Sequence, residues 1–177
     1  MRKVISIICL FIAFFIIYFL QSNFFSWFTI SGVKPNLFVI FILFIGLFAG
    51  KKIGAILGLI LGIYLDLLLG KTIGITGIML SIVGFLGEYL DKNFSKESRF
   101  TIMLMVIGAT FIYELGEYIF YIARLSVPLE IISFLKILFI EMLYNLLIVI
   151  IIYPIIQKLG YALENTFKTK SILTRYF

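Results

Sequence analysis

Residues 54–77 read GAILGLILGIYLDLLLGKTIGITG. Glycines stand at Gly54, Gly58, Gly62, Gly70 and Gly74, and Asp66 takes the missing place in that four-residue ladder. The ladder also extends backwards, through Gly50 and Gly46. The residues between the glycines are mostly aliphatic, so the stretch reads as a lipid-embedded helix with one face stripped of side chains. A small residue at every fourth position lets two helix backbones approach closely. Dispersion and Cα–H contacts then replace the hydrophobic drive that lipid lacks. The spacing suits a seam inside the chain and also a contact with a partner's helix. A carboxyl group in such a place is expensive. Asp66 is therefore expected to hydrogen-bond across the seam or to the turn at 70–77.

The surrounding chain has the same character. Of its 177 residues 63% are hydrophobic, and the mean hydropathy is +1.18. A soluble domain of this length could not hide so much apolar surface. The expected fold is an all-α integral membrane protein, one membrane domain with six spans at about 4–22, 36–50, 53–70, 73–90, 101–123 and 137–156. Residues 157–177 are read as a short basic tail. The second segment falls short of the roughly 17–20 residues a span needs. It is expected to tilt, to thin the bilayer, or to form a hairpin with the third segment across a Lys51–Lys52 loop. The first segment begins MRK but lacks a small-x-small cleavage site, so it reads as a retained span. Cys9 follows two isoleucines instead of a small residue, and reads as a packed or lipid-facing thiol.

Charge sets the expected orientation. With six spans and a cytoplasmic N-terminus, eleven Lys and Arg residues fall inside and four, Lys34, Lys71, Arg124 and Lys136, fall outside. The positive-inside rule thus favours both termini in the cytoplasm. The net charge of +6 is accounted for by topology and an anionic inner leaflet, with no nucleic-acid partner. Lys51, Lys52, Lys92, Lys96 and Arg99 form a cytoplasmic rim that suits the leaflet or a cytoplasmic filament. The aromatic stretch QSNFFSWFTISGVKP at 21–35 and the LSVPLE turn at 125–130 read as interfacial.

Catalytic chemistry has little to work with. The chain has no histidine and one cysteine, which removes His-based general bases, Ser-His-Asp triads, Cys/His metal centres and an intrachain disulfide. It contains no GxxxxGK[ST] phosphate loop. No enzyme activity, metal or cofactor is expected. Among the acids within apolar segments, Asp66, Glu114, Glu117 and Glu141 stand out. Glu114 and Glu117 share a helix face, with Tyr113, Tyr118 and Tyr121 near them as potential donors. Glu141 and Asn145 share another face, beside Tyr144. These groups suit polar contacts between helices, a docking surface for another membrane protein, or a site for a cation or polar ligand.

The order of these features resembles a known family. Pro35 precedes an apolar span. Gly62, Asp66, Gly70 and Gly74 close a glycine-rich one. Tyr144, Asn145 and Pro154 form a late element. Across residues 34–156 this resembles the rod shape-determining protein MreD family of bacteria. The resemblance implies a non-enzymatic role in lateral wall synthesis, at the bacterial cytoplasmic (inner) membrane. It implies MreC, the MreB filament and the SEDS polymerase–transpeptidase pair as partners. The family is also similar in architecture to the six-span substrate-binding S components of energy-coupling-factor vitamin transporters. That likeness implies a vitamin-capturing protein as the alternative function. The first segment lacks an AxxxA pattern, Ala13 being its sole alanine.

Overall fold

The computed structural model describes residues 2–70, 72–93, 98–125 and 130–168. Lys71, Lys96, Lys170, Arg175 and most of the 125–130 turn lie outside the described residues, as does the side chain of Lys92. The regular elements described are helices: α1 (Arg2–Phe19), a π-helical turn (Leu20–Phe24), α2 (Phe25–Trp27), α3 (Leu37–Ala49), α4 (Lys51–Leu69), α5 (Ile75–Asn93), α6 (Arg99–Leu125) and α7 (Ile131–Phe167).

The bundle is built around its shortest long helix. In α3, LFVIFILFIGLFA, every residue except Phe41 is buried. A helix that is apolar on all sides suits either a protein core or lipid; this one lies in the core, where it contacts α1, α4, α5, α6 and α7. Its 13 residues span only about 20 Å, less than the roughly 30 Å of hydrocarbon in a bilayer. Six segments were expected to be spans. Four helical stretches among the described residues are long and apolar enough to cross a membrane: Lys3–Trp27, Lys51–Leu69, Arg99–Arg124 and Ile131–Phe167. Leu37–Ala49 and Ile75–Leu90 are shorter apolar helices. Both fall short in length; Leu37–Ala49 is enclosed by protein, whereas Ile75–Leu90 keeps an exposed apolar face at Ile78, Ile82, Phe85 and Tyr89.

Three boundaries also move. The first helix continues through the π turn to Trp27, so much of the expected 21–35 connection is helical. The Lys51–Lys52 pair is the first turn of α4 and not a loop. The chain turns instead at Gly50, whose φ of 103° favours a residue without Cβ. The last helix runs from Ile131 to Phe167, straight through Pro154, and absorbs residues assigned to the tail. At 37 residues it is about 55 Å long.

The glycine ladder explains the most extensive helix–helix contact, that of α4 with α5. A Cβ added at Gly62 would meet the Cα of Gly77 at 2.5 Å, and one at Gly54 the Cα of Gly46 at 2.6 Å. Cβ atoms at Gly58 and Gly84 would strike the backbones at Leu80 and Gly54. The seam therefore runs within this chain, from α4 onto α5 and α3. The ladder does not continue as a seam through Gly70 and Gly74. Those residues have φ of 63° and 101°, and nothing lies within 4 Å of a Cβ built on either. They shape the turn that follows α4.

Gly84→Ala should cost about 1–3 kcal/mol, because backbone lies on the side where its methyl group would go. At Gly108 a Cβ would meet open space, so Gly108→Ala should be neutral or stabilising by up to about 1 kcal/mol. Unfolding in detergent micelles measures both. Equal midpoints for the two variants would contradict the seam.

Candidate functional site

Polar groups gather where α4 ends, α5 and α7 begin, and α6 ends. Asp66 is 1% exposed, on the buried face of α4. Its Oδ2 accepts the backbone N–H of Gly74 at 2.8 Å. The Gly70 N–H bonds the backbone carbonyl of Asp66 and closes the helix in a left-handed cap. One residue thus ties both ends of the 70–74 turn to α4. The other carboxyl oxygen of Asp66, Oδ1, is buried and has no hydrogen-bond partner among the described residues.

Across from it stands Glu117 of α6. Its Oε1 accepts the Thr76 hydroxyl at 3.0 Å and the Tyr113 hydroxyl at 2.5 Å. Asp66, Thr76 and Glu117 border a cavity of about 410 Å³ between α4, α5 and α6, together with Phe120, Tyr121 and Arg124. A neighbouring cavity of about 440 Å³ lies between α6 and α7, lined in part by Glu114, Glu117, Tyr118 and Glu130. Tyr118 stacks on Phe134 with ring centroids 4.1 Å apart, and its buried hydroxyl has no hydrogen-bond partner among the described residues. Of the three tyrosines singled out in the sequence, Tyr113 donates to Glu117, while Tyr121 is exposed on the cavity rim.

A second polar group supports the N-terminus of α3. Asn145 of α7 is fully buried. Its Oδ1 accepts the Asn36 N–H at 2.7 Å, and its Nδ2 donates to Thr110 of α6 at 3.0 Å. Asn36 caps α3 by accepting the Val39 N–H, and Gln21 accepts the Leu37 N–H at 2.9 Å. Glu141 is buried beside Glu114 and Asn36. Pro35 is buried just before this cap, and the Tyr144 hydroxyl donates to the Phe28 carbonyl at 2.6 Å. The late Tyr–Asn pair thus ties α7 to the residues flanking Pro35. Pro154 is exposed inside α7, away from this group.

Sequence reasoning passed over Asn36, Thr76, Thr110 and Glu88. Asn36 carried a signal, since an asparagine directly before an apolar helix is a standard N-cap. Glu88 accepts the Lys51 N–H at 2.7 Å and so serves the start of α4. No local pattern pairs residues 37 positions apart.

Among the described residues no group of three or more His, Cys, Asp or Glu side chains is arranged to hold a metal. A family model described as rod shape-determining protein MreD matches residues 1–162. No curated protein and no solved structure gives a match.

Asn145→Ala should destabilise the protein by about 1–2 kcal/mol, since it strands the Asn36 N–H and the Thr110 hydroxyl in a dry interior. Tyr144→Phe should cost less than about 1 kcal/mol, because its bond is exposed and water can replace it. The same unfolding measurement reads both, and a larger loss for Tyr144→Phe would reverse this ranking.

Proposed function

Because the chain belongs to the rod shape-determining protein MreD family, whose members are membrane proteins of the machinery that sets rod shape, we propose that it is a non-enzymatic scaffold of wall elongation. In this reading it links MreC, the MreB filament at the inner face, and the SEDS polymerase–transpeptidase pair. It sits in the bacterial cytoplasmic membrane as a multi-pass protein, with both termini inside. The family match over residues 1–162 carries the reading.

Charge placement supports the orientation. Lys51, Lys52 and Arg99 start α4 and α6, while Lys158 and Lys168 lie toward the end of α7. All five belong to the end of the bundle assigned to the cytoplasm. The intramembrane acids Asp66, Glu114, Glu117 and Glu141 belong to the opposite half. The glycine seam gives the scaffold a stiff frame, and the Asp66-held turn, with Gly70 and Gly74, is the surface it offers to a partner. Glu114, Glu117, Glu141 and Asn145 fix the helices that flank this surface.

Affinity purification of the tagged protein from gently solubilised native membranes should recover MreC and wall-synthase subunits, identified by mass spectrometry. Recovery of a transmembrane coupling subunit with two ATPases would overturn the scaffold reading. Asp66→Ala should lower the recovery of MreC several-fold while leaving insertion intact. Recovery and stability both equal to those of the unaltered protein would remove Asp66 from the partner surface.

A further inference from the structure

The cavity between α4, α5 and α6 is bordered by a buried acceptor that no donor among the described residues meets. Asp66 is 1% exposed and borders this cavity, and its Oδ1 has no hydrogen-bond partner among the described residues, while Oδ2 is engaged by Gly74. A buried carboxyl oxygen without a donor is costly, and structures rarely leave one so. The chamber is built to complement a donor of positive charge. Glu117 also lines it, and Phe120 and Tyr121 supply aromatic surface of the kind that attracts ammonium groups. Arg124, exposed on the rim, offers a planar fork suited to phosphate. At about 410 Å³ the chamber holds a small polar group and not a whole acyl chain. It lies at the ends of three helices, where a bilayer places its headgroups.

We propose that this chamber binds a primary-amine phosphate headgroup of the phosphoethanolamine type, with its ammonium donating to Asp66 and its phosphate facing Arg124. The donor requirement makes the site selective. A trimethylammonium headgroup carries the same charge but has no N–H, so it leaves Asp66 Oδ1 unsatisfied. The phosphate contact is common to both headgroups and adds affinity without selectivity. The proposal needs no protein partner, and its test stands apart from that of the scaffold reading.

The test is native mass spectrometry of the purified full chain, released from nanodiscs containing equal amounts of phosphatidylethanolamine and phosphatidylcholine with identical acyl chains. The protein should retain phosphatidylethanolamine at least about fivefold over phosphatidylcholine. Asp66→Asn keeps an oxygen for the Gly74 N–H but faces the ammonium with an amide, and should bring the ratio to parity. Arg124→Gln, at an exposed position, should lower retention of both lipids and preserve the ratio. Soluble O-phosphoethanolamine separates the two sources of this chemistry. Displacement of the lipid at millimolar concentration identifies the headgroup alone as the ligand. Resistance to displacement identifies the whole lipid. Either result upholds the site once the preference is present. Equal retention of the two lipids by the unaltered protein overturns the proposal, even if Asp66→Asn fails to fold. So does an undiminished preference in a folded Asp66→Asn.

Discussion

The rest of the structure depends on backbone meeting backbone along the face of α4. Gly54, Gly58 and Gly62 let α5 and the end of α3 approach to a separation at which no Cβ fits. In lipid such closeness is the main source of helix attraction, since apolar side chains gain little by leaving hydrocarbon for protein. The positions of α4 and α5 then determine the position of Asp66 and the direction of the 70–74 turn. Thr76, on the first turn of α5, is carried to Glu117 of α6 by the same approach. The polar chemistry of this end of the bundle follows from the absence of side chains further down.

A second constraint comes from α3. Enclosed on all sides and shorter than the hydrocarbon it sits in, it cannot rely on water for the unpaired groups at its ends. Other helices provide for them. Gln21 and Asn145 accept N–H groups at its start, and the Lys168 ammonium donates to the Leu47 carbonyl near its end at 2.8 Å. Buried polar residues that look expendable in a hydropathy plot are what allow a core helix of this length to exist.

Much of this could be read in the sequence. Glycines at every fourth position identified α4 and its close contact, because one helix face with no side chains has few other uses. The opposing glycines, Gly77, Gly84 and Gly87 of α5, went unnoticed, since their spacing of seven and three forms no ladder. Asp66 was legible as a group bonding either across the seam or to the 70–77 turn, and the structure shows the bond to Gly74 of that turn. The partners of Asn145 and Glu88 were not, since they depend on how helices distant in the chain come to lie together. Boundaries failed where hydropathy and burial part company. Segment 36–50 was apolar enough for lipid but lies in protein. Residues 157–167 were polar enough for a tail but remain helical. The interface between Phe48 and Gly160, where a Cβ on the glycine would strike the ring, helps hold that last stretch in place.

The capping of α3 also sets an order for biogenesis. Its N-terminal partner Asn145 follows Asn36 by 109 residues, and its C-terminal partner Lys168 follows Leu47 by 121. A nascent chain leaving the ribosome therefore presents this helix to the insertion machinery long before its ends can be satisfied. Thirteen residues are too few to settle across the bilayer alone. The next helices in the chain, α4 and α5, are the first of its partners to follow it. The final closure of the bundle waits on the synthesis of α7 and Lys168, which hold the two ends of α3.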